Sequence, residues 1–288
     1  MPIEVVHYTD PGCPWAYSAE PFVRALEWRY GDGLVWRTCM IGLAEDPQRY
    51  VDLGYTGVLM TQWHIEFRDR FGMPFSTAPR ERPAATGLAC RLIVSARRQG
   101  HDAADAVMRA LRFSWFTDPR PHDSLEVLEP IVRSVPGIDA DAVLAGLGDP
   151  AVEEAYLADK RESRTILPPA SAQGKTANSD GEERYTAPSL TFSRDGEMLV
   201  AAGWQPLAAY DVCIANLDPT LPQRGPAGPA EALPAFPRGL TTYELALIAA
   251  GRNDEPDRAT VETELIGLAA DGRARRVALG SDALWLPV

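Results

Sequence analysis

Residues 3–43 carry two strand patterns with one helical pattern between them, and that spacing leaves few topologies open. Ile3, Val5, Val6, Tyr8 and Thr9 are β-branched or aromatic and read as a strand, which Asp10-Pro11-Gly12 ends sharply. Pro14 suits the first position of a helix. Trp15, Ala19, Phe22, Val23, Leu26 and Tyr30 then recur at helical spacing until Gly31-Asp32-Gly33. Pro21 lacks an amide proton, so its place inside that pattern predicts a kink. Residues 34–41 read as the second strand, and a strand–helix–strand unit of this kind joins a parallel pair through a right-handed crossover.

A long helical interruption separates this unit from the next strand signals. From about residue 47 to 163 the periodicity is helical, with Ala85, Leu88, Ala89, Leu92, Ile93 and Ala96 on one stretch and Ala103, Ala106, Val107, Ala110 and Leu111 on the next. Strand signals return only at 189–192 and 198–201, joined by Arg194-Asp195-Gly196 as a hairpin, and 204–216 reads as a helix packing back. Residues 218–237 hold six prolines and two glycines, which predicts a linker or an extended surface segment. Beyond it, 240–250 and 257–269 are amphipathic helices, and 273–279 with 283–286 form a hairpin around Gly280-Ser281-Asp282. Helix, helix, hairpin is the order of a winged-helix module.

The charge balance narrows the partners. Forty acidic against 28 basic side chains leave a net charge of -12 over 288 residues, which argues against broad binding to nucleic acid or anionic membrane. Arg273, Arg275 and Arg276 stand where a wing would meet DNA, yet the preceding helix carries Asp257, Glu262 and Glu264, with Asp271 just beyond it, against Arg258. A solvated face or a protein contact is favoured over DNA. No basic segment followed by an apolar core opens the chain, and no stretch reaches the ~18 apolar residues that span a bilayer, so the expectation is a cytoplasmic protein with no membrane contact. Cys13, Cys39, Cys90 and Cys213 show no C-x-x-C and no metal-ligand spacing with His7, His64, His101 or His122. Free thiols and no metal are expected. Gly174-Lys175-Thr176 echoes a phosphate loop but has Pro169 where the earlier glycine belongs.

The sharpest chemical feature is Cys13 at the junction of strand, turn and helix. Free amide protons and the macrodipole at a helix start stabilise a thiolate, which predicts a lowered pKa and a nucleophilic sulfur. Trp15, Trp63, Trp115 and Phe116 are candidate walls of an apolar groove beside it. Cys39 is a weaker candidate as an internal resolving thiol, and Cys90 and Cys213 read as structural.

The run Asp10-Pro11-Gly12-Cys13-Pro14-Trp15-Ala16-Tyr17 resembles the D-P-x-C-P-W-C-Y motif of the DsbA-like branch of the thioredoxin superfamily, which includes the 2-hydroxychromene-2-carboxylate isomerases and kappa-class glutathione transferases. Pro21 stands eight residues after Cys13, where thioredoxins kink this helix, and Thr186-Ala187-Pro188-Ser189-Leu190-Thr191-Phe192 is similar to the loop that carries the cis-proline. The resemblance covers residues 1–217. It implies an α/β protein with a thioredoxin fold (1–45 and 165–217) and a large inserted helical domain (46–164), to which the residue patterns add a Pro-rich linker (218–237) and a small winged-helix-like module (238–288). It further implies Cys13 as nucleophile, Pro188 as cis-proline, Ala187 as the residue whose backbone pairs with a bound peptide or glutathione, and Pro14, Trp15 and Thr186 as further substrate contacts.

Ala16 departs from the family at the place of the resolving cysteine, so dithiol oxidation has no internal second thiol. The function expected is thiol–disulfide exchange or isomerisation through Cys13, on a protein disulfide or a small thiol compound. No tightly bound cofactor is expected, and glutathione or another low-molecular-weight thiol serves as cosubstrate. Two alternatives stand beside it: glutathione-dependent transfer or isomerisation of a small apolar substrate, in which Cys13 holds the glutathione sulfur, and a non-catalytic, redox-responsive binding protein. A homodimer is compatible with all three.

Overall fold

The computed structural model describes residues 1–178, 181–251 and 254–288. Its centre is a four-stranded sheet of β1 (Ile3–Thr9), β2 (Leu34–Met40), β5 (Ser189–Arg194) and β6 (Glu197–Ala201), in the order β2-β1-β5-β6. β1 and β2 run parallel, Ile3 opposite Leu34 through Thr9 opposite Met40, while β5 is antiparallel to both β1 and β6. The parallel pair is joined by α1 (Pro14–Ser18) and α2 (Glu20–Tyr30). The break falls at Ala19, two residues before Pro21, because the proline can neither donate to the carbonyl four residues back nor avoid crowding it. Pro21 itself then sits in the first turn of α2, where an amide proton is not needed.

Between the two halves of the sheet lie α3 (Gln48–Asp52), α4 (Gly57–Phe71), α5 (Gly87–Ala96), α6 (His101–Thr117), α7 (Leu125–Arg133), α8 (Ala140–Ala145), α9 (Pro150–Ser163) and α10 (Pro168–Ala172). A short hairpin, β3 (Thr176–Asn178) with β4 (Glu183–Tyr185), leads into β5, and α11 (Leu207–Leu217) closes the sheet domain. That hairpin is invisible to pattern reading, since its two strands are too short for alternation to register. This is a thioredoxin fold with a helical insertion. The insertion packs its own core of Leu92, Val107, Leu111 and Phe116, while Ile3, Val5, Leu26 and Phe192 pack on one face of the sheet.

The remaining chain is α12 (Pro229–Ala232), β7 (Leu240–Thr241), α13 (Thr242–Ala249), α14 (Arg258–Ala270), β8 (Ala274–Leu279) and β9 (Asp282–Pro287), with the strands ordered β7-β9-β8. The expectation of a linker or an extended surface segment through residue 237, with no ordered helix, fails at α12. Pro229 occupies the first turn, where proline costs the helix nothing, and Ala232 and Leu233 bury themselves with Trp28 of α2. Trp28 also donates its indole N–H to the Gly225 carbonyl at 2.8 Å.

Charged side chains join the three parts. Glu244 of α13, fully buried, takes both Nη groups of Arg109 on α6 at 2.7 Å each, and its Oε2 closes a capping box on the Thr241 amide. Arg109 also donates to the Gly239 carbonyl at 3.0 Å. Arg24 of α2 pairs with Asp105 of α6 at 2.7 Å, and Arg112 of α6 pairs with Glu20 of α2.

Candidate functional site

The turn after β1 is built around Asp10. Its buried carboxylate accepts the Gly12 amide at 2.9 Å, the Leu43 amide at 2.8 Å and the Thr86 hydroxyl at 2.9 Å, tying the turn to the β2 exit and to the start of α5. The Cys13 amide donates to the Asp10 carbonyl, which leaves Cys13 at the cap of α1. No side chain fits at residue 12: a Cβ there would lie 2.6 Å from Thr86 Cγ2 and 2.9 Å from the Trp115 ring. Gly12→Ala is therefore expected to destabilise the protein by about 1–3 kcal/mol, read as a lower urea midpoint with unchanged slope.

The register of β5 brings the second half of the site to the first. Tyr8 pairs with Ser189, so residues 186–188 arrive beside the end of β1. The Ala187–Pro188 peptide bond is cis. The Ser189 hydroxyl donates to the Thr186 carbonyl at 2.6 Å and accepts the Gly203 amide at 2.8 Å, and the Thr186 hydroxyl and amide both donate to the Lys175 carbonyl. The Cys13 thiol donates to the Ala187 carbonyl at 3.3 Å.

A cleft of about 350 Å³ opens on this contact, bounded by Cys13, Trp15, Lys175, Arg184, Thr186 and Trp204. Pro14 is not among its walls; it borders a neighbouring cavity of about 480 Å³. Trp15, Trp63 and Trp115 of the expected groove line that second cavity, together with Tyr50, Tyr55 and Phe67. Phe116 does not. It is fully buried behind the wall, stacked on Tyr17 at 4.5 Å between ring centroids. The two spaces share Trp15, Leu43 and Arg184, so the indole of Trp15 stands between the reactive sulfur and the aromatic cavity.

The expectation of a lowered Cys13 pKa is overturned. Cys13 is only 6% exposed, and burial pushes its thiol up to about 11, with the Asp10 carboxylate adding to the rise. The amide protons of Ala16 and Trp15 and the Arg112 guanidinium act in the expected direction and are outweighed. The helix supplying those amides is only five residues long, so little macrodipole stands behind them.

The other thiols have separate surroundings. Cys39, fully buried, donates to the Asp159 carbonyl of α9 at 3.3 Å, which engages it away from Cys13. Cys90 lies 3.5 Å from Asp10 Oδ2, and Cys213 is half-buried on α11. Among the described residues no three His, Cys, Asp or Glu side chains gather as metal ligands, and no helix is long and apolar enough to cross a membrane. Lys175, set aside with its phosphate-loop echo, borders the cleft. Arg184, Tyr50, Tyr55 and His64 are site residues that sequence reasoning did not single out. Only the closeness of Arg184 to Pro188 could have flagged one of them.

No family model and no curated protein matches this sequence. Solved structures do match the fold. A Streptomyces coelicolor protein assigned as a DsbA oxidoreductase superposes with a TM-score of 0.55 at 20% identity, over 78% of this chain and 92% of its own. A Nitrosomonas europaea protein assigned as a protein disulfide isomerase gives a TM-score of 0.56 at 15% identity, over 76% and 97%. The cytosolic disulfide reductase DsbM of Pseudomonas aeruginosa, in its structure with GSH, gives 0.51 at 18%, over 76% and 98%. The chain shares the DsbA-like thioredoxin fold with these three proteins.

Proposed function

We propose that the protein is a thiol–disulfide oxidoreductase or isomerase that works through Cys13 alone, with glutathione or another small thiol as its second substrate. The observation that carries this reading is the 3.3 Å contact between the Cys13 sulfur and the Ala187 carbonyl at the floor of an open cleft. The Cys13 thiolate attacks one sulfur of a bound disulfide. A bond forms between the two sulfurs, the substrate S–S bond breaks, and the other half leaves as a thiolate. A small thiolate then attacks the mixed disulfide, takes over the substrate sulfur and returns Cys13. Ala16 cannot perform that second attack, so an external thiol is required.

Before a substrate binds, burial keeps Cys13 protonated at neutral pH. A substrate N–H that takes the Ala187 carbonyl removes the acceptor of the thiol proton, while the Trp15 and Ala16 amides stay in place to favour the thiolate. Binding thus activates the sulfur. Lys175 and Arg184 at the cleft suit the carboxylates of a peptide-like thiol, and DsbM, of similar fold, has been solved with GSH. The same reading places the protein in the cytoplasm, where small thiols abound and four free cysteines persist. The C-terminal part, residues 238–288, is read as a winged-helix-like module that serves packing; its exposed Arg273, Arg275 and Arg276 face an acidic chain overall.

The raised Cys13 pKa favours one second reading, in which the protonated thiol donates a hydrogen bond to a bound glutathione thiolate and forms no covalent intermediate. Initial rates separate the two. With hydroxyethyl disulfide and glutathione varied together, covalent exchange through Cys13 gives parallel double-reciprocal lines, the signature of a ping-pong mechanism. Intersecting lines would favour the hydrogen-bonding reading.

A further inference from the structure

The Ala187 carbonyl has no side chain of its own to aim it, yet it accepts the Cys13 thiol proton at 3.3 Å beside the cleft where a substrate arrives. Two residues on, Ser189 opens β5 and lies fully buried opposite Tyr8 of β1. Its hydroxyl is engaged in both directions. The proton goes to the Thr186 carbonyl at 2.6 Å, and the oxygen accepts the amide of Gly203, two residues past β6, at 2.8 Å. Among the described residues that carbonyl and that amide have no other partner.

Thr186 is held from a second side as well, its hydroxyl and amide donating to the Lys175 carbonyl at 3.0 Å and 3.2 Å. Gly203 lets the exit of β6 come this close: its φ is +69°, and a Cβ there would lie 2.9 Å from Lys175 Cδ and 3.1 Å from Thr186 Oγ1. Removal of the Ser189 hydroxyl leaves a buried amide and a buried carbonyl unpaired, and such groups turn to find new partners. The Thr186 carbonyl belongs to the peptide unit that leads into Ala187, so its rotation re-aims the Ala187 carbonyl. A hydrogen bond to that carbonyl weakens steeply as its angle falls.

We propose that Ser189 is a positioning residue of the exchange site: its hydroxyl fixes the Ala187 carbonyl where it accepts an amide proton of the substrate, and so favours disulfides whose sulfur belongs to a peptide-like molecule over disulfides that carry no amide. Ser189 itself, fully buried, touches neither the Cys13 sulfur nor the substrate and acts through Thr186 and Ala187. The inference deepens the reading of Cys13 and rests on it for the reaction, while pairing of an amide with the Ala187 carbonyl does not need the reaction.

Two mixed disulfides of thionitrobenzoate test it, one made with N-acetylcysteine methylamide and one with 2-mercaptoethanol. In each the Cys13 thiolate attacks the aliphatic sulfur, a bond forms between those two sulfurs, and thionitrobenzoate leaves as a coloured thiolate. Ser189→Ala is expected to raise the half-saturating concentration of the cysteine compound about tenfold, the loss of one hydrogen bond, and that of the mercaptoethanol compound by less than about twofold. Ser189→Thr, which keeps the hydroxyl, is expected to keep the preference of the parent. Should Ser189→Ala not fold, Thr186→Val, which cuts the bond from the hydroxyl to the Lys175 carbonyl, loosens the same loop and is expected to shift the two compounds apart in the same sense. A parent protein that releases no thionitrobenzoate fails the reading of Cys13 and leaves the loop to be read by calorimetry with S-methylglutathione, which has amides and no sulfur to exchange. There Ser189→Ala is expected to bind about tenfold more weakly than the parent. A folded Ser189→Ala with the parent's preference, an equal loss for both disulfides, a Ser189→Thr that loses as much as Ser189→Ala, or equal affinities for S-methylglutathione overturns the proposal.

Discussion

Cys13→Ser is expected to bring glutathione-dependent turnover of hydroxyethyl disulfide down to the uncatalysed background. A hydroxyl is no nucleophile toward a disulfide, and no other thiol reaches the cleft: Cys39 is committed to the Asp159 carbonyl and Cys90 lies against Asp10, both fully buried. The serine variant should fold as the parent does, since a hydroxyl can make the same hydrogen bond to the Ala187 carbonyl. Cys13→Ala should be equally inactive. Serine that retains activity where alanine loses it would show that the hydrogen bond, and not the sulfur, does the chemistry.

The second large effect concerns stability. Glu244→Ala is expected to cost about 3–5 kcal/mol, because it strips the Arg109 guanidinium, with a side chain 6% exposed, of its two short bonds to a carboxylate and leaves only Glu20, at 3.6 Å, as its anion in the interior. It also removes the capping-box acceptor of the Thr241 amide. The measurement is urea unfolding, read from the midpoint at constant slope. The double variant Arg109→Leu/Glu244→Leu should recover most of the loss, since Glu20 keeps Arg24 and Arg112 and no buried charge is then left alone. A cost below about 1 kcal/mol for Glu244→Ala would mean that the C-terminal part is not fastened to the insertion as described.

The readable parts of the fold are those set by neighbours in sequence. Strand, Asp10-Pro11-Gly12 turn and Pro14-initiated helix each stem from local conformational preference, and the hairpin around Asp195-Gly196 likewise uses positive φ at both residues. The order of these signals, with helices between them, fits the thioredoxin fold that the resemblance of the Cys13 motif implies. Pro229 misleads because a proline-rich stretch reads as extended, although a proline in a first turn is compatible with a helix.

The site is legible in position and not in electrostatics. A helix-start cysteine predicts a low pKa from its own amides, but desolvation by burial outweighs them, in a site whose other side, at Ala187, is 174 residues away in sequence. In the same way nothing in the local sequence marks Glu20, Arg24, Arg109 and Arg112 as buried, because most of the partners that bury them lie on other elements. His64, Tyr50 and Tyr55 carry no motif, and only the folded chain gathers them with Trp15 around one space.

The most direct test of the account is to incubate the protein with oxidised glutathione and locate the adduct by peptide mass spectrometry, at about pH 7 and about pH 9, two values on the acid side of the raised thiol pKa. One glutathione on Cys13 and on no other cysteine, formed faster at the higher pH as the raised pKa requires, is the result predicted. A protein that stays unmodified at both pH values, or that carries glutathione on Cys213 with Cys13 free, contradicts the assignment of Cys13 as the reacting sulfur.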